Sequence, residues 1–262
     1  AFDCPQKPFG GEEDFTWSPD SKQLVYVTKK KFGTAYAVST NTDIYSYEVS
    51  TGVTTNLSEG MMGYDTYPSF SSQGTLAWLS MKRDGYEADK NDIVAKAGPS
   101  VTNLTQHWDG TVIGFVWSAD GRRIYFTAPV DGTIQLFEVD FPGMTKKVPV
   151  VRQITKGDFD LTGIVGQTGN TLVVSRTDMN HATELYSVNL SNGQLLQLTH
   201  VNDAFYKSIK LSRIERRYVT TTDKKQMLVW VVYPPDFDAS KKYPALLYCE
   251  GGPQSPLSQF YS

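Results

Sequence analysis

Cysteine is nearly absent from this 262-residue chain: there are two, Cys4 and Cys249, far apart. Two distant cysteines make no disulfide framework. Stretches of about 18 apolar residues are missing as well, so no helix is expected to span a membrane. No charged-then-apolar leader opens the chain, Ala1 does not look like a natural start, and the compartment stays open between periplasm and cytoplasm. An excess of charge of one sign is lacking too, with Lys+Arg 25 against Asp+Glu 28 and a net charge of −3. No basic face of the kind nucleic acid demands stands out. The like-charge run Lys29-Lys30-Lys31, beside Phe32-Gly33, reads as a hairpin tip in water.

What the chain does have is rings and turn residues. Aromatics make up 13%, with 15 Tyr and 13 Phe, and there are 21 Gly and 13 Pro. Flat rings pack well on pleated strands, and glycine and proline punctuate them with turns. The strands recur. Phe15-Thr16-Trp17-Ser18-Pro19-Asp20-Ser21 is followed by Leu24–Val27, and Pro68-Ser69-Phe70-Ser71-Ser72-Gln73-Gly74 by Leu76–Leu79. Phe115-Val116-Trp117-Ser118-Ala119-Asp120-Gly121 is followed by Ile124–Thr127, and a degenerate copy, Gly163–Gly169, by Leu172–Ser175. Each unit then closes with two more short strands. The words Asn56-Leu57-Ser58, Asn103-Leu104-Thr105 and Gln197-Leu198-Thr199 end three of them. Two of these words match a glycosylation acceptor, but a repeated place in a repeated unit favours turn chemistry.

A unit of about fifty residues with four short strands is the signature of a propeller blade, because one such sheet buries its faces only by stacking on neighbours. The Ser-Pro-Asp-Ser and Ser-Ala-Asp-Gly stretches are therefore expected to be turns and not acid catalysts. The histidines, His107, His181 and His200, match no metal spacing and read as loop or blade-edge residues. Neither a metal nor a cofactor is expected.

After about Ile209 the unit is not completed. Arg217–Thr222 and Met227–Tyr233 flank a polar tip and predict a long hairpin, ended by Pro234-Pro235. A polar linker leads to Tyr243-Pro244-Ala245-Leu246-Leu247-Tyr248-Cys249, which reads as a fully buried strand and makes Cys249 a small buried side chain. It runs into Glu250-Gly251-Gly252-Pro253. A glycine pair after a buried strand lets backbone N–H groups approach a ligand, as in the oxyanion loop of α/β-hydrolases. The expected fold is all-β: a partial β-propeller of about four to five four-stranded blades, residues 1–210, then the first strands of an α/β-hydrolase domain, residues 211–262.

Trp17-Ser18-Pro19-Asp20, Trp117-Ser118-Ala119-Asp120-Gly121, Val229–Pro235 and Tyr243-Pro244 through Glu250-Gly251-Gly252-Pro253 together resemble the prolyl oligopeptidase family of serine peptidases. The likeness covers essentially the whole chain and looks nearest to the bacterial dipeptidyl-peptidase or acylaminoacyl-peptidase branch. The blade words are shared with other propellers such as TolB, so the last stretch discriminates. The resemblance implies short peptide substrates, no cofactor, and a Ser-Asp-His triad downstream of Ser262, since no Gly-x-Ser-x-Gly occurs here. Further blades are expected upstream, and the 262 residues alone are expected to be inactive. Gly251 is the candidate oxyanion N–H donor. Glu250 stands where the branch commonly has His or Tyr, and a carboxylate accepts hydrogen bonds rather than donating them. In dipeptidyl peptidases a glutamate pair on the propeller grips the substrate's free amine, and Glu12-Glu13 is the candidate for it here, but no helical insertion of the kind that carries that motif is seen and the pair reads as a solvated loop. A TolB-like protein-binding propeller and an esterase on the same scaffold are the alternatives. Self-association is left open.

Overall fold

The computed structural model describes residues 2–6, 10–143, 145, 147–249, 251 and 255–261. Antiparallel strands dominate. Among the described residues helix is confined to a single 3-10 turn at Glu12–Asp14, α1 (Thr34–Val38) and α2 (Asp203–Ser208). Among the described residues no helix is long and apolar enough to cross a membrane. The chain divides into two compact units: Ala1–Ala128 with Leu136–Ile154, and Pro129–Gln135 with Thr155–Ser262.

In the first unit, β1 (Phe15–Trp17), β2 (Gln23–Thr28), β3 (Asp43–Glu48) and β4 (Thr54–Asn56) form a sheet in chain order. So do β5 (Asp65–Phe70), β6 (Leu76–Ser80), β7 (Asp92–Ala97) and β8 (Ser100–Asn103). A third set follows: β9 (Gly114–Trp117), β10 (Arg123–Val130), β11 (Thr133–Asp140) and β12 (Val151–Gln153). The turn joining β10 to β11 belongs to the second unit. The repeat thus folds as blades, and its turn residues show why. Ser18 Oγ donates to Asp20 Oδ1 at 2.7 Å and accepts the Gln23 N–H at 2.9 Å. Ser118 repeats this with Asp120 at 2.6 Å and the Arg123 N–H at 2.9 Å. The Ser18 and Ser118 hydroxyls hold the Asp20 and Asp120 carboxyls below their ordinary pKa, as turn residues in water. Gly121, at φ +66°, supplies the left-handed step.

Val25, Val27, Ile44, Leu76, Trp78 and Val94 make one buried cluster, joined by Leu57, Met61 and Phe70. Each fully buried aliphatic side chain contributes about 1.5–3 kcal/mol. Trp78 Nε1 donates to Asp65 Oδ1 at 3.0 Å. Asp65 is fully buried, and burial pushes its pKa up to about 7 against the opposing pull of Ser80, Trp78 and Ser58. Its Oδ2 has no hydrogen-bond partner among the described residues. In the third blade Phe126 and Phe137 stack at 5.5 Å, with Trp108 at 5.3 Å from both.

The blade-ending words are clasps. Asn56 Oδ1 accepts the Ser58 N–H at 3.0 Å, while Ser58 Oγ accepts the Ile44 N–H at 3.0 Å beside Asp43. Asn103, Thr105, Ile93 and Asp92 repeat the arrangement, with Thr105 Oγ1 donating to Asp92 at 2.7 Å. In the second unit Thr155 donates to Gln135 Oε1 at 2.8 Å, and Thr199 donates to Glu184 and accepts the Leu185 N–H at 2.9 Å. A hydroxyl just past the end of the last strand therefore closes onto an acidic or amide side chain on the third, which is the turn chemistry the sequence predicts. The fourth word, Gln153-Ile154-Thr155, emerges only here.

The lysine run is a correction. Lys29 is buried: its Nζ donates to the Ser39 carbonyl at 2.7 Å and lies 4.7 Å from the Tyr36 ring centroid. Burial lowers its pKa. Lys30 sits 3.6 Å above Tyr45, and Lys31 pairs with Asp84 at 3.8 Å. The carbonyls and rings that receive these lysines come from α1 and more distant strands, so the run is partnered rather than a solvated tip.

In the second unit, β13 (Asp160–Thr168), β14 (Thr171–Asp178), β15 (His181–Asn189) and β16 (Leu195–Gln197) form the fourth blade. Register shifts at Gly163 and Gly166 bend β13, which accounts for its degenerate sequence. The expected hairpin is β17 (Ile214–Thr220) with β18 (Gln226–Val232). It is pinned to the β10–β11 turn. Trp230 Nε1 donates to the Gly132 carbonyl at 3.2 Å, and Arg216 pairs with Asp131 and, at 2.6 Å, with Asp158. A side chain at Gly132 (φ +71°) would lie 2.7 Å from Leu228 Cδ2, so only glycine permits this approach.

Tyr243–Cys249 is the second correction. It is not a strand, and Leu246, Leu247, Tyr248 and Cys249 are exposed. An apolar run becomes a buried strand only where neighbouring strands pair with it, and none does so among the described residues.

Candidate functional site

Glu12 and Glu13 occupy the 3-10 turn before β1, and both are exposed. Asp14 beside them turns inward, and its Oδ2 accepts the Gln6 N–H at 2.7 Å. Burial raises the pKa of the Asp14 carboxyl. Tyr67, held at φ +59°, has its pKa raised by burial and then by the negative charge of Glu13 and Glu12. The glutamate pair is thus exposed, and its charge acts on the Tyr67 hydroxyl.

Gly251 is exposed, with open space around the position a side chain would take. Glu250 and Gly252-Pro253-Gln254 lie outside the described residues.

Of the three histidines, His107 is exposed. His200 Nδ1 lies 3.0 Å from Asp203 Oδ2, and His181 Nδ1 lies 2.8 Å from Asp178 Oδ1 in the β14–β15 turn. Among the described residues no group of His, Cys, Asp and Glu is arranged to hold a metal.

His181 lines a cavity of about 430 Å³ in the second unit, with Arg176, Asp178, Glu184, Tyr206 and Lys207. The sequence reading missed it, because its walls come from β14, β15 and α2, and α2 carries no repeat signal. The carboxylates there are satisfied locally. Glu184 accepts from Thr199 and from the Asn202 N–H at 3.1 Å, and the Thr199 hydroxyl leads in lowering its pKa. Asp178 serves the Asn180 N–H at 2.9 Å as well as His181. Arg176 is held over Phe159 at 4.4 Å and Tyr186 at 4.8 Å, with Asp178 only at 3.9 Å. Its guanidinium thus keeps donor capacity toward the cavity, suited to carbonyl and carboxylate oxygens.

The blades agree with what relatives of the chain are. The profile of the family described as the dipeptidyl peptidase IV N-terminal region matches residues 86–227, more than half the chain, and the chain belongs to that family. Among curated proteins, a dipeptidyl-peptidase 5 of Porphyromonas gingivalis is 44% identical over all of this chain, which spans 38% of that protein's length. Among solved structures, an acylaminoacyl peptidase of Pyrococcus horikoshii superposes with a TM-score of 0.70 at 18% identity, over 95% of this chain and 36% of its own. The β-propeller domain of the trilobed protease of Pyrococcus furiosus gives 0.53 at 19% identity, over 73% and 53% of the two chains. The fold is thus that of peptidase propellers.

Proposed function

We propose that this chain is the propeller side of a serine dipeptidyl-peptidase of the prolyl oligopeptidase family. Residues 1–210 are its blades, and residues 211–262 lead into the peptidase domain. The observation that carries this reading is the 44% identity with a dipeptidyl-peptidase 5 along the full chain, β17–β18 and Gly251 included. A TolB-like binding propeller accounts for the blades but leaves that last stretch without a purpose.

In the whole enzyme a serine, activated by histidine and aspartate, attacks the carbonyl after the second residue of a short peptide. Negative charge then develops on that oxygen, and the N–H of the exposed Gly251 donates to it. The ionised form of Glu250 cannot donate, so the backbone carries the role. Glu12 and Glu13 hold the ammonium of the peptide's free amino terminus, since two carboxylates favour the charged amine.

The test uses the full-length protein and paired chromogenic substrates, one with a free amine and one acyl-blocked. Release from the free-amine dipeptide, loss of it in Glu12→Gln/Glu13→Gln, and no turnover by the 262-residue chain are expected. Preference for the blocked substrate would reassign the enzyme to acylaminoacyl release, and no turnover of either would leave a binding propeller.

A further inference from the structure

The register of the fourth blade sets Arg176 on β14 directly opposite Glu184 on β15. Cross-strand partners share one face of the sheet, where opposite charges ordinarily meet. These two do not. The Glu184 carboxylate turns instead to the Thr199 hydroxyl and to the Asn202 N–H at 3.1 Å. Arg176 is left with Asp178 Oδ2 at 3.9 Å, too long for a hydrogen bond, and that acid already serves His181 and the Asn180 N–H. The Arg176 side chain is nevertheless only 26% exposed. Stacking holds it: the guanidinium carbon lies 4.4 Å from the Phe159 ring centroid and 4.8 Å from that of Tyr186. A guanidinium fixed by rings, whose N–H groups have no acceptor among the described residues, is pre-ordered for an acceptor that arrives from outside.

Arg176 borders the cavity of about 430 Å³, a volume within the range of small-molecule sites. Lys207 on α2 lines the same cavity, exposed and with no ion pair among the described residues. The acids of the cavity are engaged by contrast, Asp203 with His200 at 3.0 Å and Glu184 and Asp178 as above. Two uncommitted cations and three committed carboxylates select the charge of a ligand. A cation would face two like charges, and the carboxylates it needs already accept from neighbours. A phosphate group carries about −1.5 to −2 at neutral pH and would be repelled by the three acids more strongly than a singly charged anion. A carboxylate meets both conditions: one negative charge, and two oxygens spaced for the guanidinium fork.

We propose that this cavity binds a monoanionic carboxylate, gripped by the Arg176 guanidinium and drawn in by Lys207. The carboxyl end of a short peptide and a small organic acid present this same group. Nothing here depends on the peptidase reaction, so a failed turnover assay leaves the site to be tested on its own.

The test is a ligand-observed NMR titration of the full-length protein. The probes are N-acetyl-diglycine, which has a carboxylate and no free amine, its carboxy-terminal amide, acetate and inorganic phosphate. N-acetyl-diglycine is expected to bind about tenfold or more tighter than its amide, and phosphate no tighter than acetate. Arg176→Lys keeps the charge but loses the fork and should weaken carboxylate binding about tenfold. Lys207→Ala, at an exposed position away from the Phe159 and Tyr186 rings, should weaken it about threefold with Tm unchanged. Acetate binding as tightly as N-acetyl-diglycine assigns the site to small acids, and N-acetyl-diglycine binding more tightly assigns it to peptide ends; either result supports the site. Equal binding of acid and amide, phosphate binding tighter than carboxylate, affinities unchanged in both variants, or no binding of any probe overturns it.

Discussion

Leu76–Ser80 and Tyr243–Cys249 are both short apolar runs, yet every residue of the first is buried while the second lies open with Leu246 fully exposed. Composition does not separate them. β6 has β5 and β7 hydrogen-bonded along its two edges, and the later run has no strand beside it among the described residues. Burial is a property of the ladder a run joins, and the apolar pattern only makes joining profitable.

The sharpest way to break this contrast is at its buried end. Trp78→Ala is expected to destabilise the first unit by about 3–5 kcal/mol in denaturant unfolding, from lost burial and the cavity left behind. Next comes pH. The folded pKa of Asp65 is raised to about 7 from an ordinary 3.8, so its contribution is whole below about pH 4 and lost as the pH rises through 7. The decline is up to about 4 kcal/mol, and Asp65→Asn should flatten it in unfolding curves collected across that range. Thr105→Ala removes the clasp on Asp92 and the Ile93 N–H and should cost about 1–3 kcal/mol. Asp158→Ala takes one exposed partner from Arg216 and should cost under about 1 kcal/mol in thermal melts. Smallest of all, Leu247→Ala should shift stability by no more than about 0.5 kcal/mol. A loss of 2 kcal/mol there would mean that the open run is packed after all.

The blades were legible because their signals are local. Ser18 and Asp20, or Ser118 and Asp120, make a turn with partners a few residues away, so the turn is written where it is read. The clasps were half legible: Asn56-Leu57-Ser58 announced a repeated ending, but Asp43 lies a hairpin away and nothing local marks it as the acceptor. Lys29 was misread because the Ser39 carbonyl that receives it comes from beyond α1. The cavity around Arg176 and Tyr206 was invisible, since two strands and a short helix must be in place before its donors converge. Gly251 is exposed, while Glu250 next to it lies outside the described residues.

The clasps have a consequence for how such a chain grows. Ser58 with Asp43, Thr105 with Asp92, Thr155 with Gln135 and Thr199 with Glu184 each lie inside a single repeat. A repeat that carries both halves of its own fastener can be copied as one stretch of gene and arrive already able to seal its outer strand. Only the apolar faces must then match the neighbour, and those tolerate exchange of one hydrophobic residue for another.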